Sequence, residues 1–386
     1  MMRVLHILMN DPENPTGGLG VAVKGIIEAQ KKIGIKPYVL GYNDYDLKGR
    51  NADDALIADL TGEKPHTNID LWYLRHIWEC VTKQLCARWK NLEFDIIHLH
   101  DSWMYPVAEL AEALYQCPVV YTNHLSFTVE NWGWKGWNKL SGEEARMEVR
   151  CLTRFYNTHV SLPYAKKVIA QYDLDQLIPN HLSAVIHNGV SPLDETEQVQ
   201  LSGKNVYFCG RAVSSKGVNL VVKAAENLPD FNFHVFSKVT SDHKMVGTTE
   251  RLLESAQILL PNFHWYSWHT EAQKCAYLRA CDIALVPSIN DAPFEITGLE
   301  AMLAGTPLIT TAACGMRDYC NDDNCTIIKP TAQALTDAIK NHVRDQDKLR
   351  NAYETAKSFS WDAAAEKYKT FYRMVYAKDL HPRHAA

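Results

Sequence analysis

Arg211 and Lys216 stand in the run Cys209-Gly210-Arg211-Ala212-Val213-Ser214-Ser215-Lys216-Gly217, after an apolar stretch of strand character and before a helix-like segment from Val218 to Asn227. A planar guanidinium fork and a mobile ammonium beside a helix N-terminus suit a diphosphate. Together they stabilise the negative charge that grows on a departing nucleotide. One loop cation alone reads as solvated surface; the pair at a strand-to-helix turn reads as an anion site. A second turn of this kind, Asn14-Pro15-Thr16-Gly17-Gly18-Leu19-Gly20, follows the first apolar stretch. Its glycines, Gly17 and Gly18 first, free the backbone to aim N–H groups at an anion, although it is not the G-x-G-x-x-G dinucleotide fingerprint.

Three further groupings invite a chemical reading. His98, His100 and Asp101 form an H-x-H-D cluster, but residues two apart on a strand share one face while the third points away. No other ligands follow at a metal-binding spacing, so no metal is expected. Asp44-Tyr45-Asp46 and Asp173-Leu174-Asp175 imitate the D-x-D of metal-dependent transferases without ending a strand in a nucleotide-binding context, and are read as coincidence. Phe127, Trp132, Trp134 and Trp137 lie in a segment rich in glycine and asparagine. Indole faces stack on sugar rings or bases, so these tryptophans are candidate acceptor contacts, with packing of a long loop as the alternative.

The elements that must hold these residues alternate between apolar runs of strand length and helix-length periodic segments, the pattern of a parallel sheet covered on both faces. One series comprises Val4–Leu8, Lys36–Leu40, Asp95–Leu99, Val119–Thr122 and Ala184–His187, with helices including Val21–Ile33 and Val107–Tyr115. The other comprises Asn205–Cys209, Asn232–Phe236, Phe263–Trp265, Ile283–Pro287 and Leu308–Thr310. The polar stretch Ser191–Lys204 reads as the hinge, giving an α/β protein of two doubly wound, Rossmann-like domains, 1–192 and 203–360, facing each other across a cleft. A length of 386 residues supports two domains. A formal net charge of −5 offers no general attraction to polyanions. No apolar stretch reaches the length of a membrane span, the first strand is too short for a secretory leader, and the ten scattered cysteines lack a C-x-x-C pair. A cytoplasmic enzyme with reduced thiols is expected.

The run Ala292-Pro293-Phe294-Glu295-Ile296-Thr297-Gly298-Leu299-Glu300-Ala301-Met302-Leu303-Ala304-Gly305-Thr306-Pro307 makes the reading specific. It resembles, without a gap, the signature E-P-F-G-L-x-x-L-E-A-M-A-x-G-T-P of the family 4 retaining glycosyltransferases of GT-B fold. The resemblance implies that Glu300 holds the ribose hydroxyls and that backbone amides around Ile296 and Thr297 cradle donor phosphate. The family's first glutamate, which sits against the donor sugar, is Ala292 here, and Asp291 or Glu295 would have to substitute. Phe94–Asp101 resembles a family strand-end motif, and Val185-Ile186-His187-Asn188-Gly189-Val190 the approach to the hinge. The segment at 361–380, with Tyr368 and Tyr372, resembles the closing helix that returns to the first domain. Phe263–Trp268 occupies the family's nucleobase loop, so Trp268 or its backbone is the candidate base contact. His124 stands where similar enzymes place a histidine towards donor sugar and acceptor.

The resemblance implies a hexosyltransferase that uses a nucleotide diphosphate sugar, with UDP-glucose as default donor by resemblance only, and needs neither cofactor nor metal. The catalytic candidates are His124, Arg211 and Lys216. The acceptor would be a hydroxyl of a glycan or lipid-linked sugar. Alternatives are transfer to a DNA base, a sugar-nucleotide epimerase, a phosphorylase, or a non-catalytic sugar-nucleotide-binding subunit, which Ala292 motivates. Peripheral membrane contact and oligomeric state stay open.

Overall fold

A computed structural model describes residues 1–9, 11–13, 18–43, 50–59, 71–126, 141–174, 183–237, 246–267 and 269–383. The chain forms two compact units, one of residues 1–189 and 361–386 and the other of 190–360. No described helix is long and apolar enough to cross a membrane.

Unit 1 begins with β1 (Met2–Ile7), α1 (Gly18–Lys32), β2 (Ile35–Asn43), β3 (Arg50–Ala52), β4 (Ala55–Asp59) and α2 (Leu71–Arg88). It continues through β5 (Ile96–Leu99), α3 (Tyr105–Tyr115), β6 (Val119–Asn123), α4 (Ser141–Arg154), β7 (Tyr156–His159), α5 (Leu162–Tyr172) and β8 (Ser183–Val185). The sheet order is β3-β4-β2-β1-β5-β6-β7-β8, parallel except for the β3/β4 pair. The chain reaches β2 from β1 on one side and β5 on the other, so the crossovers diverge between β1 and β5. Strands β3 and β4 extend the sheet beyond what periodicity shows. β7 escapes it because its sequence is Tyr-Asn-Thr-His, polar side chains that the sheet nevertheless buries at Asn157, Thr158 and His159.

Unit 2 contains β9 (Lys204–Cys209), α6 (Val218–Asn227), β10 (Phe231–Phe236), α7 (Val246–Leu259), β11 (Phe263–Tyr266), α8 (Glu271–Ala280) and β12 (Ile283–Val286). Then come α9 (Ile296–Leu303), β13 (Leu308–Thr310), β14 (Thr326–Ile327), α10 (Ala332–Lys340) and α11 (Gln346–Ser358). All six strands are parallel, in the order β11-β10-β9-β12-β13-β14. The two-residue strand period divides β9 between two cores: Val206 and Phe208 pack with Val218, Val221 and Leu335, while Tyr207 packs with Leu299, Met302 and Ala352 on the other face. Burial on both faces is why these strands read as continuous apolar runs.

The last helix, α12 (Trp361–Arg383), belongs to unit 1 and packs on α1. The contact is close at Gly25, where an added Cβ would lie 2.3 Å from the Trp361 indole. Gly25→Ala gains about 0.5–1 kcal/mol of helix propensity but overpacks this joint at a cost of about 1–3 kcal/mol. We expect a net loss of stability in urea titration; a variant more stable than wild type would show that the helices separate without penalty.

Candidate active site

In unit 2 the connections diverge between β9 and β12, and ligands of open parallel sheets bind outside the carboxyl ends of the strands at such a point. The loops after these strands carry Arg211 and Lys216 on one side and Asn290–Glu295 on the other. They are stitched together by the Ile289 amide, which donates to the Ser215 carbonyl at 2.8 Å. Gly217 makes the approach possible: its φ is +76°, and a Cβ there would fall 2.1 Å from the Pro287 carbonyl oxygen.

Lys216 closes a 3-10 turn, Ser214–Lys216, and its ammonium donates to Glu295 Oε1 at 2.5 Å. Ser288 Oγ donates to the same oxygen at 2.7 Å. Glu295 is the N-cap residue of α9 but makes no side-chain cap, so its carboxylate faces Lys216 and leaves the first-turn amides of Ile296 and Thr297 without it. From the other side, Tyr319 OH donates to the Glu295 carbonyl and the Gly315 amide to the Ala292 carbonyl at 3.0 Å. Gly298 sits against that tyrosine, where a Cβ would meet the hydroxyl at 2.6 Å. Ala292 itself is buried.

One turn into α9, Glu300 Oε1 accepts from Lys274 Nζ of α8 at 3.0 Å, and Lys274 also bonds Glu271 at 2.7 Å. Burial opposes the Lys274 charge, but its neighbours, Glu300 foremost, outweigh that and raise its pKa above the usual ammonium value. Glu300 is therefore anchored through one oxygen.

Unit 1 gathers histidines. His6 on β1 is the register partner of His98 on β5, and His100 and His124 follow β5 and β6. His6 Nε2 meets Gln30 Oε1 at 2.9 Å, His6 Nδ1 meets His100 Nε2 at 2.9 Å, and His100 Nδ1 meets His124 Nε2 at 3.0 Å. His98 bonds Tyr372 OH through Nδ1 and Thr122 Oγ1 through Nε2, both at 2.6 Å. Ligand atoms of His6, His98 and His100 lie within 4.8 Å of one another, so tertiary structure supplies the third histidine that the H-x-H-D spacing lacks. Both nitrogens of each ring already have a hydrogen-bond partner, so a metal would have to displace those bonds. Burial lowers the pKa of His6 to about 4 and of His124 to about 3, and drives His98 and His100 well below the ordinary value. The cluster is neutral at physiological pH.

The segment bearing His124 is clamped by Glu148 of α4, which accepts from Asn123 Nδ2 at 3.1 Å, Ser126 Oγ at 3.0 Å and Tyr172 OH at 2.7 Å. Burial raises the Glu148 pKa to about 7 against the pull of these bonds. Asp101 does not join the histidines. It caps a short turn by accepting from the Trp103 amide, and burial raises its pKa to about 6.

The profile of Glycosyl transferases group 1 matches residues 194–359, and that of Glycosyltransferase Family 4 matches residues 16–192. The chain belongs to the family 4 glycosyltransferases. It is 25% identical to a phosphatidyl-myo-inositol mannosyltransferase of Mycobacterium leprae, over 73% of this chain and 74% of the relative. It is likewise 25% identical to a D-inositol 3-phosphate glycosyltransferase of Corynebacterium glutamicum, over 76% and 75%. The GT-B fold is shared with a sucrose-phosphate synthase from Thermosynechococcus elongatus, at a TM-score of 0.81, 17% identity and coverage of 98% and 100%. It is shared also with Anabaena HepE, solved with UDP-glucose, at 0.69, 15% identity, 99% and 100%.

In this glycosyltransferase the structure brings Arg211, Lys216, Asp291, Glu295, Ile296, Thr297 and Glu300 to the loops and helix start at the carboxyl ends of β9 and β12. His124 and Gly18 belong to unit 1, Gly18 as the first residue of α1. Gly17, Trp132, Trp134, Trp137 and Trp268 lie outside the described residues, as do Asp44, Asp46 and Asp175. Sequence reading missed Lys274, Ser288, Tyr319, Glu148, Gln30 and His6, none of which belongs to a local motif. Only Ser288 had a signal, its place directly after a buried strand.

Two predictions follow from this geometry. Gly217→Ala should lower donor affinity by tenfold or more in calorimetric titration with nucleotide, since the loop cannot keep both its φ and its contact with Pro287; unchanged affinity would remove the loop from the site. The second concerns acid. Between pH 6.5 and about 4 the unfolded chain binds protons that the buried rings of His6, His98, His100, His124 and His159 refuse, so acidification destabilises the fold. Glu148 and Asp101 act in the opposite sense, because up to about pH 7 and 6 respectively they hold protons that the unfolded chain has lost. Five rings outweigh two carboxyls: the melting temperature should fall from pH 7 to pH 5, and more steeply in Glu148→Gln. A rise on acidification would contradict the neutral cluster.

Proposed function

We propose that the enzyme transfers a hexose, with retention of anomeric configuration and without a metal, from a UDP-sugar to a hydroxyl of a glycan or lipid-linked sugar. UDP-glucose is the first donor to test. The observation that carries the donor reading is the convergence of Arg211, Lys216, the α9 N-terminus and the Lys274-anchored Glu300 on one divergence point of the sheet. A diphosphate needs cations and free amides, and a ribose needs a fixed carboxylate. The HepE complex with UDP-glucose supports the donor class, and the inositol-directed relatives support a polyol or lipid-borne acceptor.

In this mechanism the glycosyl bond breaks towards an oxocarbenium-like transition state while Arg211, Lys216 and the α9 N-terminus take up charge on the leaving diphosphate. The departing phosphate receives the acceptor proton, and the acceptor oxygen attacks from the same face. Glu295 takes over the sugar contact missing at Ala292. Lys216 and Ser288 hold its Oε1, and Oε2 accepts from donor sugar hydroxyls. His124 hydrogen-bonds the substrate as a neutral ring.

Arg211→Ala and Lys216→Ala should each cut kcat more than tenfold while nucleotide still binds; near-normal turnover defeats the assignment. Glu295→Gln should raise KM for the sugar nucleotide and leave the affinity for UDP alone within twofold. In a thermal-shift panel of nucleotide sugars the true donor, at 100 times its Kd, adds about 2.7 kcal/mol of stability. Tight donor binding with no transfer to any hydroxyl acceptor would favour a binding subunit instead.

A further inference from the structure

The histidine cluster of unit 1 is larger than substrate contact requires, since only His124 is even partly exposed. Three of its hydrogen bonds form a line from the interior: Gln30 to His6, His6 to His100, His100 to His124. A neutral imidazole has one N–H and one bare nitrogen, so each link dictates the next. Gln30 Nε2 donates to Tyr372 OH at 3.1 Å, which turns its carbonyl oxygen towards His6. His6 must then carry its proton on Nε2 and accept at Nδ1. His100 therefore donates from Nε2 and accepts at Nδ1, and His124 donates from Nε2. His124 Nδ1 is left bare, with no partner among the described residues.

We propose that Gln30, His6 and His100 are positioning residues that fix His124 as its Nε2–H tautomer, presenting Nδ1 as a hydrogen-bond acceptor to a substrate hydroxyl. This rests on the reading of His124 as a substrate contact. The amide of Gln30 is the setting point. Rotated by half a turn it would offer N–H to His6, and every donor along the line would reverse, so that His124 would present N–H instead. The second arm runs from the same amide through Tyr372 OH to His98 Nδ1, and on from His98 Nε2 to Thr122 and Thr158. One buried side chain thereby orients the polar interior of β1, β5 and β6. The line ends on an amide, which is not a base, so it transmits orientation and does not carry a proton away. Low basicity of the rings fits that role.

The test is nitrogen-15 NMR of the full chain labelled at histidine, with His124 assigned by comparison with His124→Asn. The wild type should show His124 protonated at Nε2 and bare at Nδ1 at pH 7. Gln30→Met, similar in length but unable to bond, should give a mixture of both tautomers and lower kcat/KM about five- to tenfold, the scale of one hydrogen bond. The wild-type spectrum needs no variant to fold. An Nδ1–H tautomer in the wild type, or a tautomer unchanged in folded Gln30→Met, overturns the proposal. So does release of one equivalent of zinc from the purified protein to a chelating dye, which would make His6, His98 and His100 a metal centre. Because the spectrum is read without turnover, these outcomes bear on the relay alone; an intact relay in a protein that transfers no sugar would count against the function proposed above.

Discussion

Two strands that are neighbours in the sheet but distant in the chain decide what unit 2 can bind. β9 and β12 pair in parallel while their connections leave in opposite directions, so the loops beyond them bound an open edge instead of covering it. The approach of those loops depends on one residue without a side chain. With a Cβ at Gly217 the Pro287 carbonyl would be displaced, and with it Ser288 and the stretch leading to Glu295. The proposed anion site is thus a property of backbone closeness before it is one of charge.

Charge is managed differently in the two units. In unit 2 two carboxylates of the candidate site are matched with ammoniums, Glu295 with Lys216 and Glu300 with Lys274, in partly buried pairs. Such pairs orient the carboxylates by holding one oxygen of each. Unit 1 buries most of its polar groups as neutral rings, hydroxyls and amides, where desolvation would make a charge costly and hydrogen bonds satisfy nearly every ring nitrogen. Buried Glu148 meets three donors and no cation, and burial raises its pKa to about 7 against the pull of those donors.

The departure from the family signature becomes intelligible in this setting. At position 292 the backbone is tied to Gly315 and the side chain is buried, whereas position 295, glycine in the signature, carries a glutamate whose carboxylate is already oriented by Lys216 and Ser288. In the function proposed above, the Glu295 carboxylate at the cap of α9 takes the place of the one missing three residues earlier.

Much of the fold was legible because a sheet covered on both faces requires apolar strands, and β1, β2, β5, β6 and β9 to β13 advertise themselves that way. The motif residues were legible too, since Arg211, Lys216 and Glu300 lie within local strand-to-helix turns whose character depends on a few neighbouring positions. β7 was not, because its buried side chains are polar and find partners only across the sheet. Nor were the partners that set the chemistry: Lys274 reaches Glu300 from another helix, and His6 reaches His100 across 94 positions of sequence. Residue type and local period determined which groups could bind a diphosphate. Strand order and helix packing decided which carboxylate meets which cation and which histidine faces outward, because hydrogen bonds and ion pairs act over a few ångströms of space irrespective of separation along the chain.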